Sequence, residues 1–287
     1  MNLKLTCSFL LAAAGLLYPG AASAQAPRLE FPPASPTCTL KQRVGLTDIE
    51  IDYSRPGVKD RSIFGGIVPY GQVWRTGANA STKVSFSTPV KLGGHDIPAG
   101  KYALYTIPGE KDWTIIISKK TDLNGAFGYD QKDDLARFTV EAAEVPFKVE
   151  TFDMGLTDVR DDSATLYLIW DHTYVPMHLE MDVTSKLVPQ IEAAMEAPGG
   201  QKPYYQAAVY YYEHGLDLQK ARKWIEAASA QREAYYIKFY EAKILAKAGE
   251  KEKAIAAAKK SSELAIKAEG PQSGYVKMNQ DLISSLQ

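Results

Sequence analysis

Cysteine is nearly absent from this chain, and that absence limits how the fold can be stabilised. The 287 residues include only two cysteines, Cys7 and Cys38, and Cys7 lies in a segment that we expect to be removed. The mature chain therefore cannot form an intramolecular disulfide. At this length the chain can rely on hydrophobic cores instead, and it is long enough for two ordinary domains.

The motifs that mark common enzymes are also missing. The sequence has no Gly-x-Ser-x-Gly, no His-Glu-x-x-His, no Cys–His pairing in the mature part and no phosphate-binding glycine loop. We therefore predict no cofactor and no metal, and whether the protein is an enzyme stays open. His95 and His172 could still meet as an acid–base pair, and carboxylates near predicted strand ends, such as Asp153 and Asp171, could act on a sugar.

Charge of one sign does not dominate the chain. Residues 25–183 hold 17 Lys and Arg against 22 Asp and Glu, whereas residues 184–287 hold 15 against 12. Neither half is basic enough, or basic in blocks, to bind a nucleic acid or an anionic membrane as its main partner.

Only the first residues contain a long apolar run. Lys4 precedes the run Phe9 to Leu17, which is followed by Ala22-Ser23-Ala24, the pattern of a secretory signal with its cleavage site. The run is shorter than the roughly 20 residues that a membrane-spanning helix needs. We expect a signal peptide at 1–24, a mature chain from Gln25, export to the periplasm or the medium, and no membrane span.

Short strand patterns fill the first half of the mature chain. A Pro-rich lead-in at 25–37 precedes Thr47–Tyr53, in which apolar and acidic residues alternate with the period of a half-buried strand. Further strands are predicted at Thr82–Ser87, Val90–Leu92, Tyr102–Ile107, Trp113–Ser118, Ala136–Ala142, Phe147–Phe152, Ala164–Trp170 and Val175–Val183. Strands without intervening helices predict an antiparallel, jelly-roll-like β-sandwich over 38–183.

Two of these strands carry polar residues at every second position. Asp48, Glu50 and Asp52 share one face of the first strand, which is the default solvated face of an antiparallel sheet. His178, Glu180 and Asp182 alternate similarly in the last strand, where Pro176 favours a charged edge over a metal site.

At residue 184 the pattern changes from strands to helices. Matching segments begin at Tyr205-Gln-Ala207 and Tyr240-Glu-Ala242 and close at Gly215 and Gly249, while Ala221 and Ala254 begin the return helices. The spacing of about 34 residues is that of tetratricopeptide-like helical hairpins. About two hairpins over 184–287 are few for a free-standing array, so we expect the tail to pack on the sandwich or on another protein.

The stretch from Tyr53 to Thr82 separates two predicted strands and is the candidate site. Its five glycines and two prolines prevent a long helix or strand, and loops held by a rigid scaffold commonly carry binding residues. The planar guanidinium group of arginine can donate two hydrogen bonds to a carboxylate or phosphate, and aromatic rings can stack on a sugar. The candidate ligand-binding residues are Arg55, Arg61, Tyr70, Trp74, Arg75, Asn79 and Thr82. The alternative is that the arginines fix the loop to the sheet while the aromatics, including Phe64, belong to the core.

Several short motifs in this part of the chain recur in one order. They are Gln42-x-x-Gly45, Tyr53-Ser-Arg-Pro56, Arg61-Ser-Ile-Phe-Gly65, Val68-Pro-Tyr-Gly71, Trp74-Arg-Thr-Gly-Ala-Asn79, Pro98-Ala-Gly-Lys-Tyr102 and Ile107-Pro108. Together they closely resemble the Domain of Unknown Function 2911 family over about residues 36–183. The resemblance implies an exported, sandwich-like domain and no particular reaction. The tail resembles tetratricopeptide repeats, which implies protein contacts by analogy.

Two functions follow from these observations. The first is an exported binding protein, with the loop as a site for a small anion or a saccharide and the tail as a docking surface for a protein. The second is an extracytoplasmic hydrolase of a saccharide or an ester. A cleft lined by Arg and Trp would favour the first, whereas two nearby carboxyl groups or a His beside an acid would favour the second. A third reading gives the loop a packing role and leaves function to the tail.

Overall fold

The computed structural model describes residues 29–287. The predicted signal peptide and the first residues of the lead-in lie outside this range. Ten strands come first: β1 (Thr37–Val44), β2 (Thr47–Ser54), β3 (Thr82–Phe86), β4 (Val90–Leu92), β5 (His95–Ile97), β6 (Gly100–Ile107), β7 (Asp112–Ser118), β8 (Asp134–Glu141), β9 (Ala143–Thr157) and β10 (Ser163–Glu180). Six helices follow them.

The strands form two antiparallel sheets that share one core. The first has the order β1-β2-β3-β6-β7-β8 and the second the order β5-β4-β10-β9. The core contains Ile51 of β2, Ile115 of β7 and Leu104 of β6 from the first sheet, and Leu92 of β4 and Leu166 of β10 from the second. Each sheet thus buries one face against the other, and the predicted β-sandwich is confirmed.

Strand β2 shows why the sequence folds in this way. Its Ile49, Ile51 and Tyr53 point inward and are buried. On the outer face, the acidic residues pair with cations of β1 and β6: Asp48 with Arg43 at 3.2 Å, Glu50 with Lys41 at 2.8 Å and Asp52 with Lys101 at 3.0 Å. This is the solvated sheet face that the alternation predicts.

The last strand differs from its prediction. The two predicted strands Ala164–Trp170 and Val175–Val183 are one continuous strand, β10, which has a neighbour on each side. It pairs with β9 from Thr165 to Tyr174 and with β4 at Leu179 and Glu180. The part of β10 after Tyr174 therefore pairs with β4 on one side only, and Pro176 is tolerated because it lies between the two paired stretches.

The helical tail starts directly after the sandwich. Its helices are α1 (Thr184–Glu196), α2 (Tyr204–Glu213), α3 (Leu218–Gln231), α4 (Tyr235–Lys247), α5 (Lys251–Glu269) and α6 (Gly274–Leu286). No helix among residues 29–287 is both long and apolar enough to cross a bilayer.

The internal repeat is present, but the first helix of its second unit begins before the predicted residue. Gly215 and Gly249 follow α2 and α4 with φ angles of 62° and 81°, a backbone that ends helices and favours glycine. Ala221 and Ala254 are fully buried in the first turns of α3 and α5. Tyr240, however, lies in the middle of α4 and does not open it.

The tail packs on the sandwich through Tyr210 of α2. Its ring joins the sandwich core, its hydroxyl lies 2.9 Å from the hydroxyl of Thr184, and it lies 4.0 Å from the His214 ring. His214 Nε2 in turn lies 2.6 Å from an Asp161 carboxylate oxygen in the turn before β10. The tail therefore contacts the sandwich through the side chains of Tyr210 and Leu187 and through the pair His214–Asp161.

Removing Tyr210 should loosen the tail without unfolding the sandwich. We expect Tyr210→Ala to accelerate cleavage by a protease at residues 181–203 several-fold, because the ring is the main apolar contact that α2 makes with the sandwich core. Tyr212→Ala is the matched control, because Tyr212 lies on the same helix and faces Tyr240 of α4. Equal cleavage of the two variants would contradict this role.

Candidate functional site

The loop between β2 and β3 is fixed to both sheets at several points. Trp74 exchanges two backbone hydrogen bonds with Thr106 of β6, at 2.7 and 3.0 Å. Gly57 forms a bridge to Thr151 of β9, and the Gly71 N–H donates to the Pro108 carbonyl at 2.8 Å. Residues 55–81 therefore form an ordered surface across one end of the sandwich.

Large aromatic side chains of the loop form part of the core beneath it. The Trp74 ring stacks on Trp170 of β10 at 6.0 Å with planes 13° apart, and Phe64 contacts both rings edge-on. Only 9% of Trp74 and 1% of Trp170 are exposed. The indole N–H groups donate to the carbonyls of Gly77 and Glu150. Trp74 and Phe64 are thus mainly packing residues.

Arg55 fixes the loop to the second sheet. Its Nη2 lies 2.8 Å from Asp153 of β9, and its Nε donates to the Phe152 carbonyl at 3.1 Å. The same carboxylate accepts hydrogen bonds from the hydroxyls of Tyr53 and Tyr167, at 3.0 and 3.1 Å. Burial raises the pKa of both tyrosines, so they remain donors at neutral pH. Arg55 therefore matches the packing alternative.

Arg61 also serves the loop, through backbone groups. Its Nε donates to the Val58 carbonyl at 3.0 Å and its Nη2 donates to the Gly57 carbonyl at 2.5 Å. These two nitrogens form the side-on edge of the guanidinium, so the edge suited to a bidentate carboxylate is occupied.

Arg75 is held differently, and its side-on edge stays open. Its Nη1 donates to the Asn79 carbonyl at 2.8 Å, whereas Nε and Nη2 make no hydrogen bond within residues 29–287. Gly125 lies against the guanidinium so closely that a Cβ there would be 2.8 Å from Nη1. The segment between β7 and β8 thus supports Arg75, and a side chain at position 125 would displace it.

The other candidate residues are placed unequally. Thr82 is fully buried and donates its hydroxyl to the Thr76 carbonyl at 2.5 Å. The Asn79 amide donates to the Ser35 carbonyl and to the Ser54 hydroxyl, both at 3.3 Å, and so holds the lead-in. Tyr70 is partly exposed beside Gly65.

A cleft of about 270 Å³ brings four of the seven candidates together. Arg61, Trp74, Arg75 and Asn79 line it, whereas Arg55, Tyr70 and Thr82 do not. The remaining lining residues are Ser35, Pro56, Ile67, Val68, Gly77, Ala78 and Trp170. Among these described residues there is no Asp, Glu or His, so the cleft has two guanidinium groups and no acid.

The two largest of the described clefts lack such a charge imbalance. One, of about 490 Å³, lies along β1 and β2, where Lys41 and Arg43 are already paired with carboxylates. The other, of about 550 Å³, contains Glu180, Asp182 and the pair Lys91–Asp96. A tail cleft of about 370 Å³ also contains two cations, Lys202 and Arg232, and no acid. Neither size nor charge alone therefore identifies the site, and the loop cleft is favoured by the open edge of Arg75.

Backbone strain also concentrates in this loop. Six non-glycine residues of the described chain have a positive φ, and four of them are Lys59, Asp60, Thr76 and Asn79. The β-branched Thr76 is the most unusual, with φ at 56°. Left-handed backbone at such residues costs about 1–3 kcal/mol each and is often found at functional sites.

His95 and His172, considered above as an acid–base pair, each contact other groups. The His95 ring stacks on Phe138 at 5.1 Å, whereas the His172 ring nitrogen lies 3.0 Å from the Val145 carbonyl. Among the strand-end carboxylates, Asp153 is bound by Arg55, as described above.

Sequence analysis did not identify three residues that shape the cleft, namely Ile67, Gly125 and Trp170. Trp170 comes from β10, and nothing in the sequence indicates that it stacks on Trp74. Gly125 lies in the segment 124–135, whose relation to the loop the sequence leaves open. Ile67 lies inside the loop and, as an aliphatic side chain, gave no sign of a binding role.

Comparison with known proteins agrees with the motif pattern. No curated protein and no solved structure matches the chain. A family model described as "Protein of unknown function (DUF2911)" matches residues 35–179, about half of the chain. Its range covers the sandwich and the whole central loop but not the helical tail. The chain therefore belongs to the DUF2911 family of proteins of unknown function.

Proposed function

We propose that this is an exported binding protein whose sandwich binds a small anionic ligand, of carboxylate or acidic-saccharide type, in the cleft beside Arg75. The observation that supports this most is the open Nε/Nη2 edge of Arg75 in a cleft that no acid lines. An arginine without a carboxylate partner contributes little to folding, whereas its planar fork matches a carboxylate or phosphate.

The hydrolase alternative has less support. Hydrolysis of a glycoside needs two carboxyl groups on either side of the bond, about 5–10 Å apart, and ester hydrolysis commonly needs a nucleophile beside a His. The described residues that line the cleft offer neither arrangement. The same lining, with two guanidinium groups and no acid, suits the binding of an anion.

A thermal-shift screen of carboxylates, phosphates and acidic sugars tests the anion site. We expect a stabilising ligand for the unmodified protein, and loss of that shift in Arg75→Gln with a change in stability of at most about 1 kcal/mol. Arg160→Gln is the matched control, because Arg160 is exposed and lies outside the cleft. A stability loss of about 3–5 kcal/mol in Arg75→Gln, with no ligand found, would instead assign Arg75 to the fold.

The helical tail is proposed as the docking surface for a protein partner. Aromatic rings of α2, α4 and α6 form a continuous band, which we call the tyrosine face: Tyr205, Tyr212, Tyr236, Phe239, Tyr240 and Tyr275. Lys243 Nζ lies 4.8 Å from the Tyr240 ring centre and 4.9 Å from that of Tyr212. Half-exposed tyrosines beside cations are frequent in protein interfaces.

Burial keeps two members of the tyrosine face, Tyr205 and Tyr240, protonated. It raises the pKa of Tyr205 and of Tyr240 to about 12, so both hydroxyls remain donors over the physiological range. A photo-crosslinking residue at Tyr236 should therefore capture a protein partner in the native compartment, independent of pH between about 6 and 8. The same residue at Lys259, exposed on α5, is the control. Equal capture at both positions would contradict docking on this face.

A further inference from the structure

We propose that the ligand of the Arg75 cleft is an amphiphilic carboxylate, that is, a carboxylate joined to a hydrocarbon or aromatic body. This inference rests on the proposed anion site and names the class of its ligand. It follows from the donors that remain available, from the poor access to the tryptophan rings, and from the apolar residues around the opening.

The available donors suit a planar, two-oxygen acceptor. Arg75 offers Nε and Nη2 side by side, whereas the corresponding edge of Arg61 is bound to backbone carbonyls. The Asn79 amide is bound to Ser35 and Ser54. One guanidinium edge can bind two oxygens of either a carboxylate or a phosphate, but it uses both oxygens of the carboxylate and leaves further oxygens of the phosphate without donors. The second positive charge, on Arg61, adds attraction for an anion.

The cleft is poorly suited to a sugar. Sugar recognition by tryptophan requires an exposed ring face, and the two tryptophans that line the cleft, Trp74 and Trp170, are 9% and 1% exposed. Their N–H groups donate to protein carbonyls and are not available to a hydroxyl. The polar groups that could bind a ring of hydroxyls are thus already engaged.

One apolar side chain is instead exposed in the cleft, and two others are exposed on the segments that form or support it. Ile67 lines the cleft and is 48% exposed, and Tyr70, three residues further along the loop, is 42% exposed. Phe127 is 92% exposed and follows Gly125, which touches Arg75, by two residues, a reach of about 7 Å. Large exposed apolar groups beside a cleft are typical of a binding surface. A ligand with its carboxylate on Arg75 would extend its body over these side chains.

Titration calorimetry with octanoate, acetate and the neutral octyl glucoside tests this assignment. We expect octanoate to bind at least about tenfold more tightly than acetate, because its additional methylene groups are buried at the opening. Arg75→Gln should abolish octanoate binding. Ile67→Ser and Phe127→Ser should each weaken octanoate several-fold and leave acetate unchanged. Phe147→Ser is the control, because Phe147 is 59% exposed on β9 and does not line the cleft.

Each other outcome would overturn the inference in a distinguishable way. If acetate and octanoate bound with equal affinity, and Arg75→Gln abolished both, the anion site would stand but the ligand would not need an apolar body. If octyl glucoside, which has no charge, bound tightly, the ligand would not need a carboxylate. If acetate, octanoate and the anions of the thermal-shift screen all failed to bind, the proposed anion site itself would be wrong. Sedimentation with phosphatidylglycerol vesicles that Phe127→Ser abolishes, without octanoate binding, would assign the apolar residues to a membrane surface.

Discussion

Trp170→Ala is expected to lower the free energy of unfolding of the sandwich by about 3–5 kcal/mol. The Trp170 side chain is almost fully buried. It stacks on Trp74 and lies 5.8 Å from the Phe152 ring and 6.0 Å from the Phe64 ring. Its removal leaves a cavity between the sheet and the central loop, and the cost combines lost burial with that cavity.

Urea denaturation followed by circular dichroism measures this loss. Phe147→Ala is the control and should change stability by less than about 0.5 kcal/mol, because Phe147 is largely exposed on the neighbouring strand. A loss below about 1 kcal/mol for Trp170→Ala would mean that these rings do not form the support of the loop.

Asp153→Ala is expected to destabilise the protein by about 2–3 kcal/mol. Removal of the carboxylate leaves the Arg55 guanidinium without its ion partner and the hydroxyls of Tyr53 and Tyr167 without their acceptor. Loss of one partner from a fully buried ion pair costs about 3–5 kcal/mol. About a third of the Arg55 side chain and of the Asp153 side chain is exposed, so solvent screening reduces the expected loss.

The matched control for this variant is Asp96→Ala. Asp96 pairs with Lys91 at 3.8 Å and is 91% exposed, so its loss should cost less than about 1 kcal/mol. If both variants showed the same small loss of stability in denaturation, Arg55 would not be a structural anchor.

Much of the fold could be predicted because the buried elements have clear periods. Strand β2 alternates strictly and was predicted within one residue of its end. Strand β1 was not predicted, because it lies at a sheet edge and Gln42 interrupts the alternation of its apolar and polar residues. Strand β5 was missed because it has one buried apolar residue, Ile97, whereas the equally short β4 has two. The helix-ending glycines, Gly215 and Gly249, were identified from spacing alone.

Less of the site could be predicted, because its assignment depends on which groups already have partners. The sequence indicates three arginines in one loop but not that Arg55 and Arg61 are bound within the fold while one edge of Arg75 is open. It also cannot show that Trp170 meets Trp74, because that contact depends on how the second sheet packs under the loop. The loop stays a predicted site, and only the hydrogen bonds distinguish its residues.

A crystal structure with bound 4-bromobenzoate would show whether Arg75 binds a carboxylate, because the bromine gives an anomalous signal that locates the ligand. We expect a bromine peak beside the central loop. We also expect carboxylate oxygens about 2.7–2.9 Å from Nε and Nη2 of Arg75, and an unchanged pair between Arg55 and Asp153. If a protein carboxylate occupied the Nε/Nη2 edge of Arg75, with no bromine peak in the cleft, Arg75 would not be a ligand-binding residue.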